Sequence, residues 1–186
     1  QQTCDEFGIS VSGGHTEITT GLQRPIIVGQ MIGEVDKKDL IRKTSLQVGD
    51  KILLTQGLAI EGTALLAREK RELLQNHLSV DQIDQAEQFL FNPGISVVKA
   101  ARIATSSGDI HSMHDPTEGG LVAGLHELAV ASGKGLRVFA DRVPIFPETH
   151  AICRCLQIDP LRLIASGALL IGTSAQTVEK VAAALA

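Results

Sequence analysis

The stretch HDPTEGGLVAGLHELA, residues 114–129, carries the densest pattern in the sequence. A short candidate strand, Ile110–His114, leads into it. After the glycine pair Gly119 and Gly120, leucines recur at the spacing of one helix face. The stretch therefore predicts a strand, a glycine turn and a helix in succession.

The glycine turn has two interpretations. Glycines between a strand and a helix let backbone N–H groups approach a ligand, and a helix N-terminus favours an anion. Asp115 and Thr117 would then face that ligand. Alternatively, Asp115 and Thr117 cap the helix, and Gly119 and Gly120 only permit close packing. The local pattern leaves both interpretations open.

A second glycine turn follows the predicted strand Lys51–Thr55. Gly57 and Gly62 flank the residues LAIE, which end at Glu61, and a helical pattern begins immediately afterwards. The same physics applies, because this loop also lies at the carboxyl end of a strand and leads into a helix N-terminus. Two such loops on one sheet could face one ligand, and a purely structural turn is the alternative.

A third glycine turn, SGGHTE, spans residues 12–17. Gly14 ends a short apolar segment, and the polar side chains of His15 and Thr16 follow it. His15 could be an acid–base group, although a single histidine is more often a surface or capping residue.

Strand and helix patterns alternate along the whole chain. This alternation predicts a layered α+β domain in which helices flank a mixed sheet. Further strands are predicted at Pro25–Val35, Leu136–Ala140 and Gly167–Thr173. Two helices are predicted over Ile95–Ser106 and Pro147–Leu156, and the helix that follows Gly120 should end at Gly133. Three more helices should begin at Thr63, after Ser79 and after Ser174.

Composition excludes several classes of protein. The chain of 186 residues is 44% hydrophobic and 20% charged, which is ordinary for a globular domain. A net charge of −4 and an aromatic content of 3% argue against a nucleic-acid-binding protein. No apolar run is long enough to span a membrane.

The cysteine and histidine positions predict no metal site. Three cysteines in a chain of this size favour free thiols and a reducing cytoplasm over a disulfide framework. Cys153 and Cys155 point to nearly opposite sides of a predicted helix. His111 and His114 lie three apart in a predicted strand and should face opposite sides of it.

Taken together, these segments resemble a known family. Residues 115–121 (DPTEGGL) followed by residues 125–129 (LHELA) resemble the signature of the C-terminal domain of the AIR synthase superfamily, and the pattern is closest to HypE-like hydrogenase maturation factors. Further similar stretches are Gly49–Leu53, Gly57–Gly62, Asp159–Leu170 and Ser12–Glu17.

The resemblance implies a two-domain parent with ATP-dependent phosphoryl-transfer chemistry on a small-molecule or carbamoyl substrate. Residues 1–38 would be the last strands of a truncated N-terminal ATP-binding domain, and residues 39–186 a C-terminal domain without its final strand. ATP and Mg²⁺ would be held mainly by the missing N-terminal domain, which would also form a homodimer. We therefore expect the chain alone to be inactive and to bind neither ATP nor Mg²⁺ tightly.

The resemblance also assigns site residues, with one departure. Glu118 stands where HypE proteins tend to have arginine, and a carboxylate there would repel a phosphate. This departure keeps a second hypothesis open, a non-catalytic binding or interaction module of the same fold, for example in hydrogenase maturation. The residues carried over are Asp115 as catalytic, Thr117, Gly119, Gly120, Gly57, Glu61 and Gly62 as substrate- or anion-binding, and Gly14, His15 and Thr16 as the nucleotide side.

Overall fold

The computed structural model describes residues 2–186, which fall into two units. The first unit extends to Asp36, and the second comprises Lys37–Ala186. The family signature and both glycine turns that follow strands lie in the second unit.

The first unit contains one short helix, α1 (Gln2–Phe7), followed by irregular backbone. The predicted strand Pro25–Val35 is wrong for this structure, because no strand forms there. Its apolar side chains are exposed, with Ile27 at 93% and Ile32 at 86%. A β-branched run becomes a strand only when another strand pairs with it, and none of the described residues does so.

The second unit is built on a three-stranded sheet. Its strands are β1 (Lys51–Leu54), β2 (Ile110–His114) and β3 (Leu170–Thr173), in the order β1-β3-β2. Both ladders are antiparallel, and the only parallel pairing in residues 2–186 is an isolated bridge between Leu58 and Ile145. The predicted combination of helices and sheet is confirmed, whereas the expected mixed sheet is corrected to an antiparallel one.

Strand β2 contains an irregularity that bears on its histidines. Ile110 pairs with Thr173 and Ser112 pairs with Gly172, so His111 is an extra residue in the ladder. A bulge of this kind shifts the alternation of side chains between the two faces. His111 and His114 would face opposite sides of a regular strand, but β2 is not regular at His111.

Local signals explain several helix ends. Ser79 and Gln82 form a capping box at the start of the helix predicted after Ser79. Gly133 adopts φ 65° and ends the signature helix in the left-handed conformation, as predicted. The helices are α2 (Ile60–Glu69), α3 (Arg71–Leu74), α4 (Val80–Glu87), α5 (Val98–Ser107), α6 (Gly120–Ser132), α7 (Pro147–Leu156) and α8 (Val178–Leu185), with 3₁₀ turns at Lys43–Ser45, Gln88–Leu90 and Ala140–Arg142.

The sheet lies between helices on both faces. Helices α5 and α8 cover one face through a cluster that includes Ala104, Ile171 and Val181. Helix α6 covers the other face, where Leu121 packs with Leu170. A further buried cluster joins α2, α4 and α7 beside the sheet. The segment Leu136–Ala140, predicted as a strand, is irregular and does not join the sheet.

The cysteines are free thiols in different surroundings. Cys153 is buried in α7, and burial, with a smaller contribution from the charge of Asp159, raises the pKa of this thiol to about 11. Cys155 is only partly buried. Among the helices described, none combines the length and the apolar character needed to cross a lipid bilayer.

Candidate functional site

The loop between β2 and α6 is exposed at its tip. Asp115, Thr117, Glu118 and Gly119 are exposed, whereas Gly120 is buried where the helix begins. Gly119 and Gly120 have φ values of 77° and 66°, a left-handed conformation that L side chains rarely adopt. The glycine pair is therefore required by the backbone path of the turn.

Gly120 is also required by close packing. A Cβ atom at this position would lie 2.5 Å from the carbonyl oxygen of Leu163 and 2.7 Å from that of Leu161. These distances are too short for any side chain, so the backbone of residues 161–163 can approach α6 only because residue 120 is glycine.

The second glycine turn follows the same plan. A Cβ atom at Gly57 would overlap the Phe146 ring, and one at Gly62 would overlap the Leu163 side chain and lie 2.8 Å from the Ile164 carbonyl oxygen. Both glycines are buried. Between them, Ala59 adopts φ 60° at the N-terminal boundary of α2.

One stretch of backbone, Leu161–Ser166, joins the two turns; we call it the bridging segment. At α6, the Val122 N–H donates to the Leu161 carbonyl at 3.1 Å. At α2, the Gly62 N–H donates to Ile164 and the Glu61 N–H to Ser166, each at 3.3 Å. The two loops expected to share one site are thus linked by the bridging segment.

This arrangement changes the interpretation of several predicted residues. Helix N-termini attract anions through unpaired N–H groups, but the amides of Glu61, Gly62 and Val122 already have partners. The geometry favours close packing as the reason for Gly57, Gly62 and Gly120, one of the interpretations that the sequence left open. A ligand-binding role for these glycines and Glu61 stays a prediction.

The predicted nucleotide-side residues Gly14, His15 and Thr16 lie in the first unit. All three are exposed. His15 Nε2 lies 3.9 Å from Glu17 Oε2, a contact between two solvent-exposed side chains. Their proposed role stays a prediction.

The tip of the α6 loop is acidic. A hydrogen bond from the Thr117 side chain, with a further contribution from the backbone N–H of Glu118, lowers the pKa of the Glu118 carboxyl. Glu118 is therefore ionised at neutral pH, in the same loop as the exposed carboxylate of Asp115. A phosphate would meet negative charge at this tip.

The side chain of His114, the residue before Asp115, makes contacts that the sequence did not predict. His114 Nε2 lies 2.8 Å from Glu127 Oε2 on α6, and His114 Nδ1 lies 4.0 Å from Asp115 Oδ1. Lys43 Nζ approaches the same Glu127 oxygen at 3.7 Å. His114 and Glu127 both belong to the signature stretch, but only the packing of α6 on β2 brings them together.

His111, the bulged residue of β2, lies between two other carboxylates. Its Nδ1 is 2.9 Å from both Asp50 oxygens, and its Nε2 is 3.0 Å from Asp109 Oδ2. Burial lowers the pKa of His111, but the hydrogen bond to Asp50 and the charges of both aspartates outweigh it and raise that pKa overall. The protonated ring can donate to both partners at once.

Metal-ligating side chains are not clustered in the part of the chain that the structure describes. Across residues 2–186, no three His, Cys, Asp or Glu side chains are placed to hold one ion. The occupied helix amides and the acidic loop tip do not fit a triphosphate on their own.

A shallow groove of about 270 Å³ runs beside α6. Leu121, Leu125, Val138, Val143 and Leu161 are among the aliphatic residues that line it. The exposed polar residues of the α6 loop are not among them, so the groove is separate from the predicted anion loop.

Comparison with known proteins identifies relatives. A protein of Methanocaldococcus jannaschii, named as a hydrogenase expression/formation protein, is 30% identical over 181 residues, covering 96% of this chain and 50% of the relative. The carbamoyl dehydratase HypE of Cupriavidus necator is 29% identical over 182 residues, covering 97% and 49%. The chain thus spans about half the length of the curated relatives it matches.

Solved structures show the same fold. A crystal structure of Escherichia coli HypE superposes with a TM-score of 0.61 at 22% identity, covering 78% of this chain and 41% of that one. Thiamine monophosphate kinase from Aquifex aeolicus gives a TM-score of 0.57 at 16% identity, covering 73% and 45%.

The match to a family model covers most of the chain. The model described as "AIR synthase related protein, C-terminal domain" matches residues 47–186, a range that contains the sheet, both glycine turns of the second unit and the bridging segment. The chain therefore belongs to the AIR synthase related family, as a carrier of its C-terminal domain.

Proposed function

We propose that this chain supplies the substrate-side domain of an ATP-dependent, HypE-like protein that activates a small-molecule or carbamoyl substrate by phosphoryl transfer. The observation that carries the proposal is the exposed loop Asp115–Gly119, whose two ends are fixed by β2 and by the bridging segment. A rigidly held loop with exposed polar side chains suits the positioning of a reacting group.

On the basis of charge, we assign the nucleotide and the substrate to different parts of the protein. The acidic tip and the occupied helix amides make the loop a poor triphosphate cradle, so we assign ATP and Mg²⁺ to the part of the protein that its longer relatives carry in addition. Asp115 and Thr117 would contact the substrate that accepts the phosphoryl group. A HypE structure in complex with ATP, which gives a TM-score of 0.60 at 24% identity, supports a nucleotide in such proteins.

The same proposal covers domain organisation. Residues 39–186 would form the C-terminal domain and residues 1–38 the end of the preceding one, with Gly14, His15 and Thr16 toward the nucleotide. Gly57, Glu61 and Gly62 would form a second side of the substrate site. The intact protein would form a homodimer through its N-terminal domain.

ATP turnover by the intact protein that contains this chain tests the proposal. Asp115→Asn should reduce turnover at least 100-fold without changing the midpoint of thermal unfolding, because the side chain is exposed and only its charge is removed. Asp141→Asn is the matched control, since Asp141 is exposed outside the loop. Equal turnover in both variants would refute the assignment of Asp115.

A second candidate function rests on Glu118. Its ionised carboxylate at the loop tip suits a binding module that makes protein contacts in hydrogenase maturation. A HypE–HypF complex has a related fold, with a TM-score of 0.55. Should the intact protein turn over no ATP, capture of a maturation partner that is lost in Glu118→Arg would favour this alternative.

A further inference from the structure

We infer that His114 is the general base of the proposed site, with Glu127 as the residue that orients it. The inference rests on the proposed function, because it takes the Asp115 loop as the place where substrate binds. It adds a proton acceptor to a site whose residues otherwise only bind and position.

The His114 ring has a defined place. His114 is the last residue of β2, and its backbone pairs with Leu170 in the centre of the sheet. Its side chain is 14% exposed and therefore largely shielded, and it neighbours the side chain of Asp115, which is 63% exposed. A base in this position can reach a ligand on the loop without being freely mobile.

Glu127 determines which ring nitrogen carries the proton. Its Oε2 lies 2.8 Å from His114 Nε2, and a carboxylate oxygen accepts hydrogen bonds, so the neutral ring places its proton on Nε2. Lys43 Nζ lies 3.7 Å from the same Glu127 oxygen. A base whose far nitrogen is held by a carboxylate is the arrangement found in many nucleophile-activating sites.

The other nitrogen is then an open acceptor. His114 Nδ1 lies 4.0 Å from Asp115 Oδ1, beyond hydrogen-bond distance, and no other residue in 2–186 donates to it. The gap between Nδ1 and the Asp115 carboxylate is where an O–H or N–H of the substrate could donate to either group. Asp115 would hold the substrate, and His114 would take its proton.

The step balances with a nucleoside triphosphate as phosphoryl donor. The substrate X–H bond breaks as its proton passes to Nδ1, and the X–P bond forms as the bond from the terminal phosphorus to the bridging oxygen breaks. The nucleoside diphosphate leaves with that electron pair. The imidazolium formed is stabilised by Glu127 and returns its proton to water after product release.

The variant His114→Gln distinguishes a general base from a residue that only links β2 to Glu127 on α6. The glutamine amide can still donate to Glu127, but its carbonyl oxygen is too weakly basic to take the substrate proton in place of Nδ1. In the intact protein we expect ATP turnover to fall by roughly 100-fold or more, within the range typical of a lost general base. ATP affinity and the thermal midpoint should stay unchanged. His126→Gln, an exposed neighbour on α6, should keep wild-type turnover.

The outcomes distinguish this inference from the proposed function. If Asp115→Asn abolishes turnover while His114→Gln retains it within threefold, the site stands and His114 is not its base. If neither variant changes turnover, the proposed function fails and the inference fails with it. Glu127→Gln should lower kcat more than it raises KM and should move the acid limb of the pH–rate profile, which a purely structural role would not do.

A measurement on the chain itself tests the same geometry without activity. Ring ¹⁵N chemical shifts of His114 should show a protonated Nε2 and an unprotonated Nδ1 in the neutral form, and Glu127→Gln should mix the two tautomers. A protonated Nδ1 in the unaltered chain would overturn the inference whatever the turnover assays give.

Discussion

At the scale of single residues, the contacts of His111 have a defined dependence on pH. Asp50, whose side chain is only 5% exposed, faces the ring on one side, and Asp109 faces it on the other. The resulting pKa lies above the ordinary value of 6.5. A raised pKa in the folded protein means that protonated His111 stabilises the fold fully below about pH 6.5, and that this stabilisation is lost as pH rises through the higher folded value.

His111→Gln should therefore be most destabilising in mild acid. We expect the variant to lower the free energy of unfolding by roughly 1.5–3 kcal/mol near pH 6, the range for hydrogen bonds to charged groups, and by less at pH 8.5. Urea titrations of the chain at both pH values measure the difference. His150→Gln, at an exposed position on α7, is the control. A difference that grows with pH would contradict the assignment.

The roles of some single residues were predictable from the sequence, whereas the contacts of others were not. Gly133 and Ser79 were predictable because a helix end depends on a few neighbouring residues. The contact between Asp50 and His111 spans 61 positions and depends on a bulge that no local pattern announced. Tertiary pairs of this kind, including His114 with Glu127, become visible only once the strand register is known.

At the scale of elements, the bridging segment explains why two helices begin where they do. Helices α2 and α6 have left-handed residues at their N-terminal boundaries, and both donate backbone N–H groups to residues 161–166. Gly62 and Gly120 admit that backbone. The N-terminal turns of both helices therefore depend on one irregular stretch of chain.

Gly62→Ala should destabilise the chain, although alanine is the better helix former. The new Cβ atom would overlap Leu163 and the Ile164 carbonyl, and overpacking of a tight contact costs about 1–3 kcal/mol. Gly135→Ala is the control, because nothing lies within 4 Å of a Cβ there, and it should change the free energy of unfolding by less than about 0.5 kcal/mol. Denaturant titration compares the two, and equal values would refute the packing role of Gly62.

Element prediction was good where a segment carries its own signals. The strand Ile110–His114 and the helix Pro147–Leu156 have the predicted bounds, because Gly108 and Pro116 flank the strand and Pro147 marks the start of the helix. Leu136–Ala140 has strand-like composition but finds no strand partner, so it stays irregular. The antiparallel direction of the sheet follows from long connections that local patterns do not describe.

At the scale of the whole molecule, the two units differ in how they bury apolar residues. The second unit has four buried clusters, whereas the run from Ile26 to Val35 in the first unit is exposed. Composition alone does not separate these cases, since both regions are rich in isoleucine and valine. Burial depends on whether a partner surface is present, which the sequence of one segment does not specify.

A matched pair of substitutions should show this difference. Ile27→Asp should change the free energy of unfolding by less than about 0.5 kcal/mol, because Ile27 is 93% exposed. Ile83→Asp should cost more than about 3 kcal/mol, because Ile83 is fully buried and would bring an unpaired carboxylate into the core. Thermal or denaturant unfolding of the chain measures both. A large loss for Ile27→Asp would show that the run is covered in solution.

The bridging segment also bears on how this fold can vary in length. Irregular surface segments usually absorb inserted or deleted residues, and the open stretch around Gly135 is free to do so. Residues 161–166 are irregular too, yet their carbonyls are spaced to serve two helices at once. One added residue would move those carbonyls out of hydrogen-bond distance of the amides of Glu61, Gly62 or Val122. Insertions and deletions should therefore be rarer in this loop than in the others.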